Sequence, residues 1–124
     1  MFSIVEPQNV RQIWSSIRAG LEHILRKSPE FWIPEDVYAS LINNKATLWV
    51  LDDGKGFVVG YMSNEDFHIW CAYGKPDDLR QAFYALEDIV RGQCKRITFE
   101  SWRLGWDKTA RELGFRPRGW VKEL

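Results

Sequence analysis

Apolar residues recur at helical spacing along Val10, Ile13, Trp14, Ile17, Leu21, Ile24 and Leu25, a pattern that predicts an amphipathic helix. It should stop near Ser28-Pro29, because the residue before proline is pushed away from helical geometry. Pro34 followed by Glu35 and Asp36 opens a second, shorter helix with the stripe Val37, Leu41 and Ile42, ended by Asn43-Asn44. Proline suits the first helical position and acids suit the first turn. A third helix begins at Lys75-Pro76-Asp77-Asp78 and buries Leu79, Ala82, Phe83, Leu86, Ile89 and Val90. Trp106 to Leu113 predicts a last short helix, stopped by Gly114.

Between these helices the pattern turns strand-like. Phe2 to Glu6 is a short β-prone stretch closed by Pro7. Ala46 to Leu51, Phe57 to Ser63 and Asp66 to Tyr73 follow one another, separated by the turns Asp52-Asp53-Gly54-Lys55 and Ser63-Asn64-Glu65-Asp66. Glycine and asparagine at such turns favour an antiparallel meander. Arg96 to Trp102 and Arg118 to Lys122 predict two further strands. The order is β-α-α-β-β-β-α-β-α-β, an α/β (α+β) chain whose mixed, mostly antiparallel sheet carries helices on both faces. The step through the third helix should join two parallel strands by a crossover.

Composition changes this picture little. A chain of 124 residues, 45% hydrophobic and 27% charged, fits one domain spanning 1–124 and argues against disorder. No apolar run approaches a membrane span, and Met1-Phe2-Ser3-Ile4 lacks the regions of a signal peptide, so a cytoplasmic setting without membrane contact is expected. Cys71 and Cys94 form neither a disulfide framework nor a metal pair. Cys71 alternates with Ile69 and Tyr73 and reads as a core thiol, and Cys94 reads as the end of a helical stripe. The net charge is zero, but the stretch from Arg91 onward carries nine Lys/Arg against four Asp/Glu.

Candidate chemistry is sparse. His23 lies off the apolar stripe of the first helix and reads as a surface residue, and His68, alternating with Trp70, reads as structural. Ser63 and Ser101 lack the glycine pattern of a nucleophile elbow. No His, Cys, Asp and Glu cluster has metal-ligand spacing, so no metal is expected. Trp102, Arg103, Arg116, Arg118 and Trp120 mix the residue types favoured as anchors in protein interfaces. The zero net charge weighs against nucleic acid, which is held through phosphate neutralisation.

The element order resembles the GNAT acetyltransferase superfamily across nearly the whole chain. Ala110-Arg111-Glu112-Leu113-Gly114-Phe115 is similar to that family's helix ending in Tyr-x-x-x-Gly-Phe. A narrower resemblance, to small GNAT-like proteins of tailed phages, rests on Leu48-Trp49-Val50 and on Arg103-Leu104-Gly105-Trp106.

The resemblance implies acetyl-CoA held by an Arg/Gln-x-x-Gly-x-Gly/Ala loop between the fourth strand and the long helix. Backbone N–H groups and the helix N-terminus would cradle the pyrophosphate. Here that stretch is Cys71-Ala72-Tyr73-Gly74-Lys75-Pro76-Asp77-Asp78. One glycine remains, Pro76 lacks an N–H, and two aspartates oppose a phosphate. The tyrosine expected as general acid is Ala110, and an asparagine expected earlier is Arg103.

Two expectations follow. The first is a phage-type GNAT-like domain without acetyltransferase activity and without a cofactor. It would act through Trp102, Arg103, Arg116, Arg118 and Trp120 on a protein partner, in the virion or its assembly or as an inhibitor of a host protein. The second is a CoA-dependent N-acetyltransferase with a divergent cofactor loop, in which Tyr73, Gly74 and Lys75 bind acetyl-CoA. Glu65 or Asp66 would then serve as the base, although acids at a hairpin turn are also there for local hydrogen bonding.

Overall fold

The computed structural model describes residues 2–28, 30–100, 106–116 and 122. Strand β1 (Ser3–Val5) leads through a single 3-10 turn into helix α1 (Val10–Lys27), followed by α2 (Pro34–Ile42). Strands β2 (Thr47–Val50), β3 (Gly56–Ser63) and β4 (Asp66–Gly74) come next, then helix α3 (Pro76–Val90), strand β5 (Arg96–Phe99) and helix α4 (Trp106–Glu112). The expected final strand falls mostly on residues 118–121, outside the described residues.

The local signals work as anticipated. Ser28 caps α1 in extended geometry, with its N–H on Ile24 O. Asp36 turns its carboxylate back to accept the Ile33 N–H at 3.0 Å, which occupies a donor the helix start would leave unpaired. Asn44 and Asn64, with φ of 58° and 57°, take the left-handed turn positions that asparagine tolerates.

The five strands form one sheet in the order β1-β2-β3-β4-β5. The first four are antiparallel, and β5 joins parallel to β4 after the α3 crossover. Because both faces are covered there, β2 from Leu48 to Val50 and β3 from Phe57 to Val59 are apolar without interruption. Leu48, Phe57 and Val59 face α1 and α2, where Val10, Ile17, Leu21, Val37 and Leu41 pack. Trp49, Val58, Phe67 and Ile69 face α3, against Ala82, Phe83, Leu86 and Val90. Leu113 and Phe115 close over this second cluster, and Arg80 of α3 pairs with Glu112 of α4.

One glycine decides how closely α1 lies on the sheet. A Cβ at Gly20 would stand 2.5 Å from the Phe57 ring and 3.1 Å from Tyr73, so only glycine permits this approach.

Several expectations need correction. Ile42 and Ile89 are not buried but exposed at 43% and 41%, because each helix turns those positions past the sheet. Cys94 is beyond α3, in the turn before β5, with Sγ 3.6 Å from Val90 O. His23 is half-buried against Tyr73, ring centroids 5.4 Å apart. Cys71 does not share a face with Ile69. Val59 pairs with Cys71 but Gly60 pairs with Ile69, so Trp70 is an extra residue. Such a bulge sets two successive residues against one and shifts the alternation, placing Trp70 and Cys71 both toward α1 and α2.

Candidate active site

The bulge at Trp70 is also where the sheet opens. Strand β5 pairs with β4 only from Asp66↔Arg96 to Ile69↔Phe99. Beyond that point β4 stays paired with β3, through Cys71↔Val59, Ala72↔Val58, Tyr73↔Phe57 and Gly74↔Gly56. Among the described residues no strand covers its outer edge from Trp70 to Gly74. An uncovered edge presents N–H and C=O groups that an extended, amide-bearing chain can pair with.

The N-terminus of α3 faces the same end of the sheet. Lys75 is the only residue between β4 and α3, and Pro76 occupies the first helical position. Leu79 N already bonds to Lys75 O at 2.9 Å. Asp77 and Asp78 occupy the first turn, and Asp77 lies 3.6 Å from Arg80. A glycine-rich phosphate loop has no room in a one-residue connection. The structure thus places Tyr73, Gly74 and Lys75 together, at the open end of β4.

Glu65 and Asp66 are at the opposite end. At about 3.3 Å per residue, β4 separates Asp66 from Tyr73 by on the order of 20 Å. Asp66 Oδ1 receives Arg96 Nε at 2.7 Å and Glu65 lies 3.1 Å from Lys95 Nζ. These acids fasten β5 to β4, and the structure does not bring them to the cofactor-side residues. Of the five partner-surface candidates, Arg116 is exposed just beyond α4. Trp102, Arg103, Arg118 and Trp120 lie outside the described residues.

Sequence reasoning missed a cluster of rings beside the bulge. Trp70 meets two rings set steeply to it: Trp32 at 6.2 Å and 76°, and Tyr61 at 6.2 Å and 80°. Tyr61 also meets His68 at 5.4 Å, and His68 Nδ1 lies 2.8 Å from Thr98 Oγ1 on β5. All five side chains are half-buried.

Glu30 reaches this group from the α1–α2 connection, accepting a weak hydrogen bond from buried Ser28 at 3.5 Å. Burial pushes the Glu30 carboxyl above the ordinary carboxylate range. Hydrogen bonds from Ser28 and Trp32 oppose that shift, and the charge of Glu100 adds to it. Burial pushes His68 below its ordinary value, while Glu100 and Asp66 pull the other way. The Cys71 thiol is fully buried and pushed far upward by burial and then by Glu30, so it is not a nucleophile. No group of three metal-ligating side chains occurs among the described residues, and none of their helices is long and apolar enough to cross a membrane.

The one signal for this ring cluster was Phe31-Trp32-Ile33. Three large apolar residues interrupt a connection where polar turn residues would suffice, and Phe31 is 98% exposed.

This architecture is a GNAT-like acetyltransferase fold. A probable acetyltransferase of known crystal structure matches 100% of this chain over 95% of its own, with a TM-score of 0.71 and 12% identity. The ribosomal-protein-alanine N-acetyltransferase of Brucella melitensis biovar Abortus 2308 matches 100% of this chain and 96% of its own, with a TM-score of 0.69 and 13% identity. An aminoglycoside N-acetyltransferase solved in complex with CoA matches 100% and 97%, with a TM-score of 0.67 and 11% identity. At these identities the likeness shows the fold. It speaks for acetyltransferase architecture and not for a phage origin. No protein-family model matches the chain, and no curated protein matches it.

Proposed function

We propose that the chain is a CoA-dependent N-acetyltransferase with a divergent cofactor loop. The observation that carries this reading is the parting of β4 from β5 at Trp70. It leaves an edge from Trp70 to Gly74, next to the start of α3, that no described strand covers. An acyl-CoA arm carries amides along an extended chain and would pair with the edge from Trp70 to Tyr73. The N-acetyltransferases of the same fold, one of them solved with CoA, support this reading over one without a cofactor.

Transfer requires an unprotonated amine. Its lone pair attacks the thioester carbonyl, the C–N bond forms, the C–S bond breaks, and the departing thiolate takes up a proton. The amine nitrogen sheds its extra proton to a base. Burial keeps His68 neutral around neutral pH. In the tautomer whose Nδ1–H donates to Thr98 Oγ1, Nε2 holds the lone pair such a step uses. Pro76, Asp77 and Asp78 make the helix N-terminus a poor phosphate site, so CoA affinity rests on the strand edge and on Lys75.

The test is a thermal melt with acetyl-CoA, followed by release of free CoA thiol in the presence of amines. Saturation at one hundred times the dissociation constant would add about 2.7 kcal/mol to the stability. An unmoved midpoint at millimolar acetyl-CoA would end this reading.

That result would favour the second one, a phage-type GNAT-like protein-contact domain acting in a virion or its assembly through Trp102, Arg103, Arg116, Arg118 and Trp120. The observation on its side is the one-residue connection between β4 and α3.

A further inference from the structure

The glycines where β3 and β4 run together before α3 pack backbone on backbone. A Cβ on Gly56 would stand 2.4 Å from Tyr73 O, and one on Gly74 would stand 3.2 Å from Lys55 O. The two strands therefore stay closed as far as Gly74, and Lys75 alone follows before α3 begins. Glycine here serves the sheet and leaves no loop around a phosphate.

The start of α3 is equally committed. Of the first four helical residues, Pro76 has no N–H, and the Leu79 N–H donates to Lys75 O at 2.9 Å. The two N–H groups left without an acceptor inside the helix belong to Asp77 and Asp78, whose own carboxylates repel a phosphate. Asp77 lies 3.6 Å from Arg80, and Arg80 also pairs with Glu112 of α4. That arginine is engaged by two acids, and Lys75 stands against two aspartates.

Acetyl-CoA has two unlike ends. Its pantetheine arm is uncharged and carries amides along an extended chain, which suits the strand edge from Trp70 to Gly74. Its nucleotide end carries a pyrophosphate and a 3′-phosphate, which a helix start holds through unpaired N–H groups and its dipole. Here the arm is matched and the nucleotide is opposed.

We infer that this chain recognises its donor by the acylated pantetheine arm alone, and that the nucleotide of acetyl-CoA adds nothing to binding. The donor class is then an acyl thioester of pantetheine, with or without the nucleotide. The inference rests on the transferase reading for its chemistry and on the packing around Gly74 and Pro76 for its selectivity.

The test is calorimetry on the full chain with S-acetylpantetheine, acetyl-CoA and adenosine 3′,5′-bisphosphate, the last being the nucleotide end without the arm. Acetylpantetheine should bind at least as tightly as acetyl-CoA, and the bisphosphate should not bind. Raising sodium chloride from about 0.1 M to about 1 M shortens the screening length from about 10 Å to about 3 Å. Acetylpantetheine should not respond, and acetyl-CoA should not weaken, because the charges being screened repel one another. Asp77→Asn with Asp78→Asn should tighten acetyl-CoA about tenfold, the equivalent of about 1.4 kcal/mol, and leave acetylpantetheine unchanged. Circular dichroism confirms that the variant folds.

Acetyl-CoA bound at least about tenfold more tightly than acetylpantetheine, binding of the bisphosphate by itself, or acetyl-CoA weakened by salt would overturn the inference. Release of free thiol from acetyl-CoA with amines would keep the transferase in each of those cases. Binding of acetylpantetheine as tightly as acetyl-CoA, with no transfer to any amine, would keep the site for the arm and sink the transferase. Absence of binding by both thioesters would sink the transferase and the inference together.

Discussion

The two halves of β4 differ in what their outer edge meets. From Asp66 to Ile69 the strand is closed by β5, with Asp66–Arg96 and Glu65–Lys95 fastening the pair and Lys95 N donating to Glu65 O at 2.7 Å. From Trp70 to Gly74 the edge is open among the described residues, and half-buried aromatic and ionisable side chains gather there. The closed half turns Phe67 and Ile69 into the α3 core. The open half follows a bulge and turns two consecutive residues the other way. One inserted residue thus separates a stretch closed by β5 from a stretch that no described strand covers.

That contrast is best broken at the closed half. Phe67 is 3% exposed, and Phe67→Ala should cost about 3–5 kcal/mol, as for large aromatic truncations in a packed core. Denaturant unfolding measures it. Trp32→Leu, at a half-buried ring against Trp70, should cost less than half as much.

Gly20→Ala tests the seating of α1 over the open half. The added methyl must displace Phe57 or Tyr73, which should cost about 1–3 kcal/mol. It should also weaken acetyl-CoA binding, because Tyr73 is part of the open stretch. An unchanged or raised midpoint would show that the close approach has no energetic role.

At the start of α3, Asp77→Asn with Asp78→Asn removes two charges that oppose a phosphate. Acetyl-CoA should bind about tenfold more tightly by calorimetry, an effect of about 1.4 kcal/mol. The same change should lower stability by about 0.3–1 kcal/mol per site, the worth of an acid at a helix N-terminus. Unchanged or weaker binding would place the phosphates elsewhere.

The clamp at the closed half should matter less. Asp66→Asn breaks a partly exposed pair whose Arg96 partner is 55% exposed, and such pairs are worth about 0.2–1 kcal/mol. Acetyl transfer should be unchanged, and a loss of activity would return Asp66 to the list of candidate bases.

The smallest effect is a pH dependence at Glu30. Glu30 holds its proton more tightly folded than unfolded. Its stabilising contribution is therefore complete below the ordinary carboxylate value and is lost as pH rises through the raised one. Glu30→Gln should melt higher than the parent at neutral pH, and the difference should vanish near about pH 4. A difference independent of pH would show that Glu30 ionises without penalty.

The helices and turns were legible because their signals are local. Val10 to Leu25 repeats with helical period, Pro34 and Pro76 mark helix starts, and Gly54 and Asn64 take positive φ at turns. The order of elements and the parallel step through α3 followed from the pattern as well. The ring cluster was not legible. Trp32, Tyr61 and Trp70 are far apart in the chain, and each taken singly resembles an ordinary core or strand aromatic.

The bulge was hidden for a related reason. A strand covered on both faces is apolar at nearly every position, so a one-residue slip at Trp70 leaves the pattern intact while reversing which residues share a face. The sequence alone therefore determined the α/β class, the element order and the loss of a glycine-rich loop before α3. Only the tertiary structure decided that β4 parts from β5 at Trp70 and that Trp32 and Tyr61 meet Trp70 there. Periodicity reports which side of its own element a residue occupies. A site is made where different elements end, and its geometry depends on packing between residues that no local pattern connects.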